Sequence, residues 1–188
     1  MEAKEFIMIY SEPTPNPETM KFVANRMILP DNSADFQTRE SALRSPLATK
    51  LFEMPFVNGV FIMNNFITVS KISNVEWDNI IPSLKEFLKT YLESEATIIH
   101  KQEEVMDDAN DTEAIKKIKL ALEQHVKPAV EMDGGMISYK SFENGIVTVT
   151  MQGSCSGCPS STMTLKAGIE NLLKRLVPEV ESVEAEAL

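Results

Sequence analysis

An α+β protein made of two small α/β-layered domains is what this sequence predicts, and three observations predict it. Segments that alternate with period two and segments with helical spacing interleave along the chain instead of separating into blocks. An acidic, polar stretch over residues 96–111 interrupts them near the middle. The 188 residues, 43% hydrophobic and 24% charged, can supply two cores and are too apolar for a disordered chain.

In the first domain, residues 1–95, residues 5–10 and 21–29 read as strands. Pro13, Pro15 and Pro17 stand between them at alternate positions and block a helix. Ser45-Pro46 opens a short helix to about residue 54, with proline in the first turn where its missing N–H is tolerated. Residues 56–63 and 66–71 form a hairpin about Asn64-Asn65, since asparagine accepts a positive φ. A helix over 77–93 follows, because Trp77, Ile80, Ile81, Leu84, Phe87, Leu88 and Tyr91 recur at helical spacing. That spacing makes Trp77 a core residue rather than a ligand-stacking one.

The second domain, residues 112–188, is predicted in the order α-β-β-α-β. Thr112 caps a helix whose stripe is Ile115, Ile118, Leu122 and Val126. Pro128 must kink or restart that helix, and Asp133-Gly-Gly135 ends it. Residues 136–142 and 146–151 are strands about the Asn144-Gly145 turn, the second with Val147, Val149 and Met151 on one face. Leu165, Ile169, Leu172, Leu173 and Leu176 mark a helix closing near Pro178, and residues 180–186 supply a last strand.

Charge narrows the function. Eighteen basic against 28 acidic residues leave a formal charge of −10. Residues 96–113 carry one base and six acids, so −5 of the −10 lies in one short stretch. No basic stripe exists, and nucleic acid is not an expected partner. No run reaches the ~18–20 apolar residues that span a bilayer, so no membrane role is expected. The first ten residues hold acids at positions 2 and 5 and no arginine, unlike a signal or transit peptide. The expected location is therefore the cytoplasm.

The chemistry concentrates at Gln152-Gly-Ser-Cys-Ser-Gly-Cys-Pro-Ser-Ser161, between a strand end and a helix start. The two cysteines of the chain, Cys155 and Cys158, lie within four residues. Two intervening residues let both sulfurs address one centre, and Gly153 and Gly157 let the backbone turn around it. The following helix N-terminus is expected to offer N–H donors and to favour thiolate over thiol. Two thiolates do not complete a four-ligand site. No third cysteine exists, and His100 and His125 lie well before the loop. A symmetric dimer in which two loops face each other supplies four sulfurs. That set suits a [4Fe–4S] or [2Fe–2S] cluster and, equally, a structural zinc. A redox dithiol of thioredoxin type and a plain buried pair are further readings, although only 30 residues follow Cys158, few for a thioredoxin fold.

These residues resemble a known family. Val130-Glu-Met-Asp-Gly-Gly135, the run from Val149 through Cys155 and Cys158 to Lys166, Gly168-Ile-Glu170 and Leu176-Val-Pro-Glu-Val180 are similar to the C-terminal domain of Nfu (NifU C-terminal-like) iron–sulfur scaffold proteins. Thr14-Pro-Asn-Pro-Glu-Thr-Met-Lys-Phe22, Ser45-Pro-Leu-Ala48, Val57-Asn-Gly-Val-Phe61 and Phe66-Ile-Thr-Val69 resemble the N-terminal domain that accompanies it. The resemblance implies a [4Fe–4S] cluster bridging two protomers as a homodimer, with Cys155 and Cys158 as ligands. It further implies a cluster donor, apo iron–sulfur proteins as recipients, and a carrier rather than an enzyme. One departure is Met136, where relatives often carry an acid.

Overall fold

Nine of the fifteen residues from Val57 to Lys71 are Val, Ile, Phe, Met or Thr, a composition suited to central strands. They form β4 (Val57–Asn64) and β5 (Phe66–Lys71), joined at Asn64, whose φ is 46°. The structure is a computed structural model that describes residues 6–100, 111–155 and 159–187. The chain divides into two units, Met1–Lys101 and Gln102–Leu188.

In the first unit β1 (Ile9–Pro13), β2 (Thr19–Ala24) and β3 (Leu29–Phe36) complete a five-stranded antiparallel sheet ordered β1-β2-β5-β4-β3. Two helices, α1 (Pro46–Leu51) and α2 (Trp77–Glu93), contribute Leu47, Leu51, Leu84, Leu88 and Leu92 to its core, beside Phe22, Phe36, Ile62 and Val69 from the sheet. Ser45 caps α1 by accepting from the Ala48 N–H at 3.1 Å. Trp77 packs against this core as expected, and its indole N–H donates to the Pro17 carbonyl at 2.9 Å.

Two expectations need correcting here. The strand placed at 5–10 is shifted to 9–13. The single strand placed at 21–29 is instead the end of β2 plus the start of a separate edge strand, β3. That strand reads Leu-Pro-Asp-Asn-Ser-Ala-Asp-Phe, and its register shifts between Leu29 and Ser33. A polar, proline-bearing edge strand has no alternation to find until Ala34 and Phe36 enter the core.

The acidic stretch also begins later than composition suggests. Ile98 and Ile99 pack on the first core, the Thr97 carbonyl accepts from the Tyr91 hydroxyl at 2.8 Å, and the His100 N–H donates to the Arg44 carbonyl at 2.9 Å. Residues 101–110, the rest of that predicted linker up to Asp111, lie outside the described residues.

The second unit follows the predicted order. Thr112 caps α3 (Glu113–Ala121), its hydroxyl accepting from the Ile115 N–H. A π-helical segment, Leu122–Val126, then leads into α4 (Lys127–Met132), with Pro128 in the first turn. Pro128 has no N–H for the carbonyl four residues back, and the widened turn carries the helix past that gap without breaking it. Strands β6 (Gly135–Glu143) and β7 (Ile146–Gly153) pair antiparallel about Asn144-Gly145, both at positive φ as a tight hairpin turn demands. A long helix, α5 (Pro159–Leu176), crosses back to β8 (Ser182–Ala187), which pairs parallel to β7. Glu170 of α5 accepts from the Val183 N–H at 3.1 Å and from Lys174 at 2.6 Å, tying the helix to β8. These bonds hold its carboxyl below the usual carboxylate range.

Gly168 lies inside α5, and a Cβ built there meets nothing within 4 Å. Gly168→Ala is therefore expected to stabilise the protein by about 0.5–1 kcal/mol through helix propensity alone, measured by urea denaturation.

Candidate metal centre

The open end of the β6–β7 hairpin fixes the first cysteine. Gly135, where β6 begins, is paired with Gly153, where β7 ends. Gly153 has φ of 69°, a left-handed conformation that turns the chain back over the hairpin immediately before Ser154 and Cys155. Ser154 then locks that turn. Its N–H donates to the Gly134 carbonyl at 3.3 Å, and its hydroxyl donates to the Asp133 carbonyl. The cysteine loop is thereby tied at both strands of the hairpin, at the C-terminal end of β7 and just before α5.

Cys155 is only 7% exposed and belongs to the second core, with Ile118, Val130, Ile137, Met151 and Ile169. Gly135 leaves the space its sulfur occupies: a Cβ there would stand 3.0 Å from Sγ and 2.7 Å from the Gln152 carbonyl oxygen. Burial pushes the Cys155 thiol above the ordinary value, and the nearby Asp133 carboxylate pushes the same way, while the Ser154 hydroxyl, 3.9 Å from Sγ, lowers it. The net direction is upward. The thiolate preference expected of the coming helix does not extend to Cys155, where burial favours the neutral thiol.

This has a measurable consequence. In metal-free Cys158→Ala protein, the pH profile of Cys155 alkylation is expected to have its midpoint above 9.0, the ordinary thiol value. The sign for stability follows. A folded state that prefers the neutral thiol has its full advantage below 9.0 and loses it as pH rises through the higher folded value. Urea midpoints of the same variant should fall on that alkaline limb.

Cys158 lies outside the described residues, as do the side chains of residues 159–162. Among the described residues no three Cys, His, Asp or Glu side chains converge on a common point. His125, in the same unit as Cys155, is therefore not brought to it in any such group. What sequence reasoning missed is the support of the cysteine. Ser154, Asp133 and Gly135 hold it, and the signal was the pair of glycines facing each other across the hairpin ends. The donor chemistry suits a soft metal centre: a buried sulfur on a hydrogen-bonded turn, with a second cysteine three residues on.

A two-unit chain with a buried cysteine between a strand end and a helix start in its second unit offers a candidate soft-metal site. Residues 9–95 match the scaffold protein Nfu/NifU N-terminal family, and residues 118–184 match the NifU-like domain family. The chain is 41% identical to a Drosophila persimilis protein named NFU1 iron-sulfur cluster scaffold homolog, mitochondrial, over 96% of this chain and 66% of that one. It is 37% identical to the Homo sapiens protein of the same name, covering 95% and 72%, and 40% identical to Arabidopsis thaliana NifU-like protein 5, mitochondrial, covering 99% and 70%. The chain belongs to the Nfu/NifU family of iron–sulfur cluster scaffold proteins. It spans just under two thirds of the length of the fly relatives.

The expected cytoplasmic location does not stand against these matches. The relatives are named as mitochondrial proteins. The cytoplasmic reading rested on the composition of ten residues alone. Among the described residues no helix is long and apolar enough to cross a membrane.

Proposed function

We propose that this chain carries an iron–sulfur cluster as cargo, bound as [4Fe–4S] between two copies through Cys155 and Cys158 of each, and passes it from a donor to apo-proteins. The observation that supports this best is the pairing of a buried cysteine, set on a turn that Ser154 ties to Asp133 and Gly134, with a second one three residues later. Four thiolates complete the ligand set of such a cluster, and two chains supply them. A cluster at a two-fold contact is released by separating or rearranging the two copies, which suits a carrier. No bond of a substrate need be made or broken by a side chain, so the role is transfer rather than catalysis.

The test is anaerobic reconstitution with iron and sulfide, followed by metal and sulfide analysis with sizing. The expected product is a brown dimer with about four iron and four sulfide per two chains. A colourless protein, or a coloured monomer, would sink the proposal. One zinc per two chains without visible absorption would replace it with a zinc-linked structural dimer. Reduction of a disulfide substrate by the metal-free monomer would replace it with a dithiol oxidoreductase.

A further inference from the structure

We infer that the outer edge of β1 in the first unit is a docking site for an extended acidic segment of a partner protein, which adds to the sheet as a sixth strand. The site does not involve the cysteines, and the inference stands apart from the cluster reading.

β1 is the edge of the sheet order β1-β2-β5-β4-β3. Phe6 to Met8 continue it, held by Asn25: its side-chain amide donates to the Phe6 carbonyl at 2.8 Å, its side-chain oxygen accepts from the Met8 N–H at 3.0 Å, and its own N–H donates to the Met8 carbonyl at 3.3 Å. Phe6, Met8 and Tyr10 therefore turn their backbone groups inward to β2, in the register Tyr10↔Val23 and Glu12↔Lys21. By the alternation of an antiparallel ladder, Ile7, Ile9 and Ser11 turn theirs outward. Among the described residues that is an open row of donors and acceptors.

Protected edges carry charge or proline. Here Glu12 and Pro13 guard the far end, but residues 6–10 read Phe-Ile-Met-Ile-Tyr with no charge at all. Phe6, Met8 and Tyr10 are 66%, 40% and 53% exposed, an unusual apolar display for a free edge. Between this edge and α2 runs a groove of about 370 Å³, lined by residues 6–10 and by Lys85, Glu86 and Lys89. Lys89 lies 4.8 Å from the centre of the Phe6 ring and only loosely contacts Glu93, at 4.0 Å.

The two lysines decide the partner. They are one helical turn apart, about 6 Å along α2, close to the ~6.7 Å between same-side residues of a strand. A strand laid in the groove presents two carboxylates to Lys85 and Lys89 while its backbone pairs with Ile7 and Ile9. Lys85 and Lys89 outnumber Glu86 in the lining, so on a chain of net charge −10 this groove is a local positive site that favours acidic segments.

The experiment uses the full chain and a fluorescein-labelled heptapeptide of alternating aspartate and valine, at low ionic strength. Anisotropy is expected to give a Kd on the order of 10⁻⁴ M, in the weak range of short strand additions. The same peptide N-methylated at alternate backbone nitrogens should bind at least about tenfold more weakly, because it forfeits the ladder. Lys85→Glu with Lys89→Glu, both half-buried on α2 and checked for unchanged melting, should weaken binding about tenfold or more. Saturating peptide should slow hydrogen exchange at the Ile7 and Ile9 amides. The inference is overturned by no binding, by equal binding of the N-methylated peptide or of a lysine–valine peptide, or by unchanged exchange at Ile7 and Ile9. It is equally overturned if the metal-free chain dimerises through this edge and the peptide does not compete.

Discussion

Cys155→Ala is expected to leave no cluster after reconstitution: less than about a tenth of the wild-type iron and sulfide per chain, and no visible absorption. Each dimer would lose two of four thiolates, and two sulfurs do not retain a four-ligand centre. Cys158→Ala should give the same loss. The two variants should differ in stability. Cys155 sits within the second core, so removing its sulfur opens a small void and lowers the stability of the metal-free chain by about 1 kcal/mol. Cys155→Ser should be worse, by about 1–3 kcal/mol, because a hydroxyl replaces a weakly polar sulfur among apolar neighbours. Cys158→Ala is expected to melt with the wild type. Urea denaturation beside metal analysis reads both effects. A Cys155→Ala protein that still turns brown would remove Cys155 from the ligand set, and a core-sized stability loss in Cys158→Ala would place that residue in the packing as well.

The burial of Cys155 was not legible in the sequence, and the reason is physical. A cysteine between Ser154 and Ser156, close to two glycines, has the composition of an exposed loop. Its burial comes from the left-handed turn at Gly153 and from the Ser154 bonds to Asp133 and Gly134, contacts between residues about twenty apart. Local pattern carries no trace of such a pairing. Where burial follows periodicity, reading succeeded. The α2 stripe located that helix residue by residue, and the Val147, Val149, Met151 alternation gave the buried face of β7. The polar strand β3 failed for the converse reason, having almost no buried face. The parallel partnership of β7 and β8 was also beyond the pattern, since a strand's partner is set by where α5 returns the chain. That crossover matters to function. It places the cysteine loop at the carboxyl end of a central strand, held by the sheet on one side and opening into a helix on the other.

Gly135→Ala is expected to be the most damaging small substitution near the centre. The added methyl would lie 2.7 Å from the Gln152 carbonyl oxygen and 3.0 Å from the Cys155 sulfur. The first contact is with backbone in the paired strand, which moves only if β6 and β7 separate at their open ends. The second pushes on the ligand itself. Overpacking of this kind should lower stability by about 3 kcal/mol, opposite in sign to Gly168→Ala, where the methyl has open space. Because the strain falls at the strand ends that carry Ser154 and Cys155, cluster loading should drop further than stability alone accounts for. Comparing iron content at a temperature where both proteins are fully folded separates the two. Loading equal to the wild type in folded Gly135→Ala protein would mean that Gly135 serves the packing of the hairpin and not the position of the sulfur.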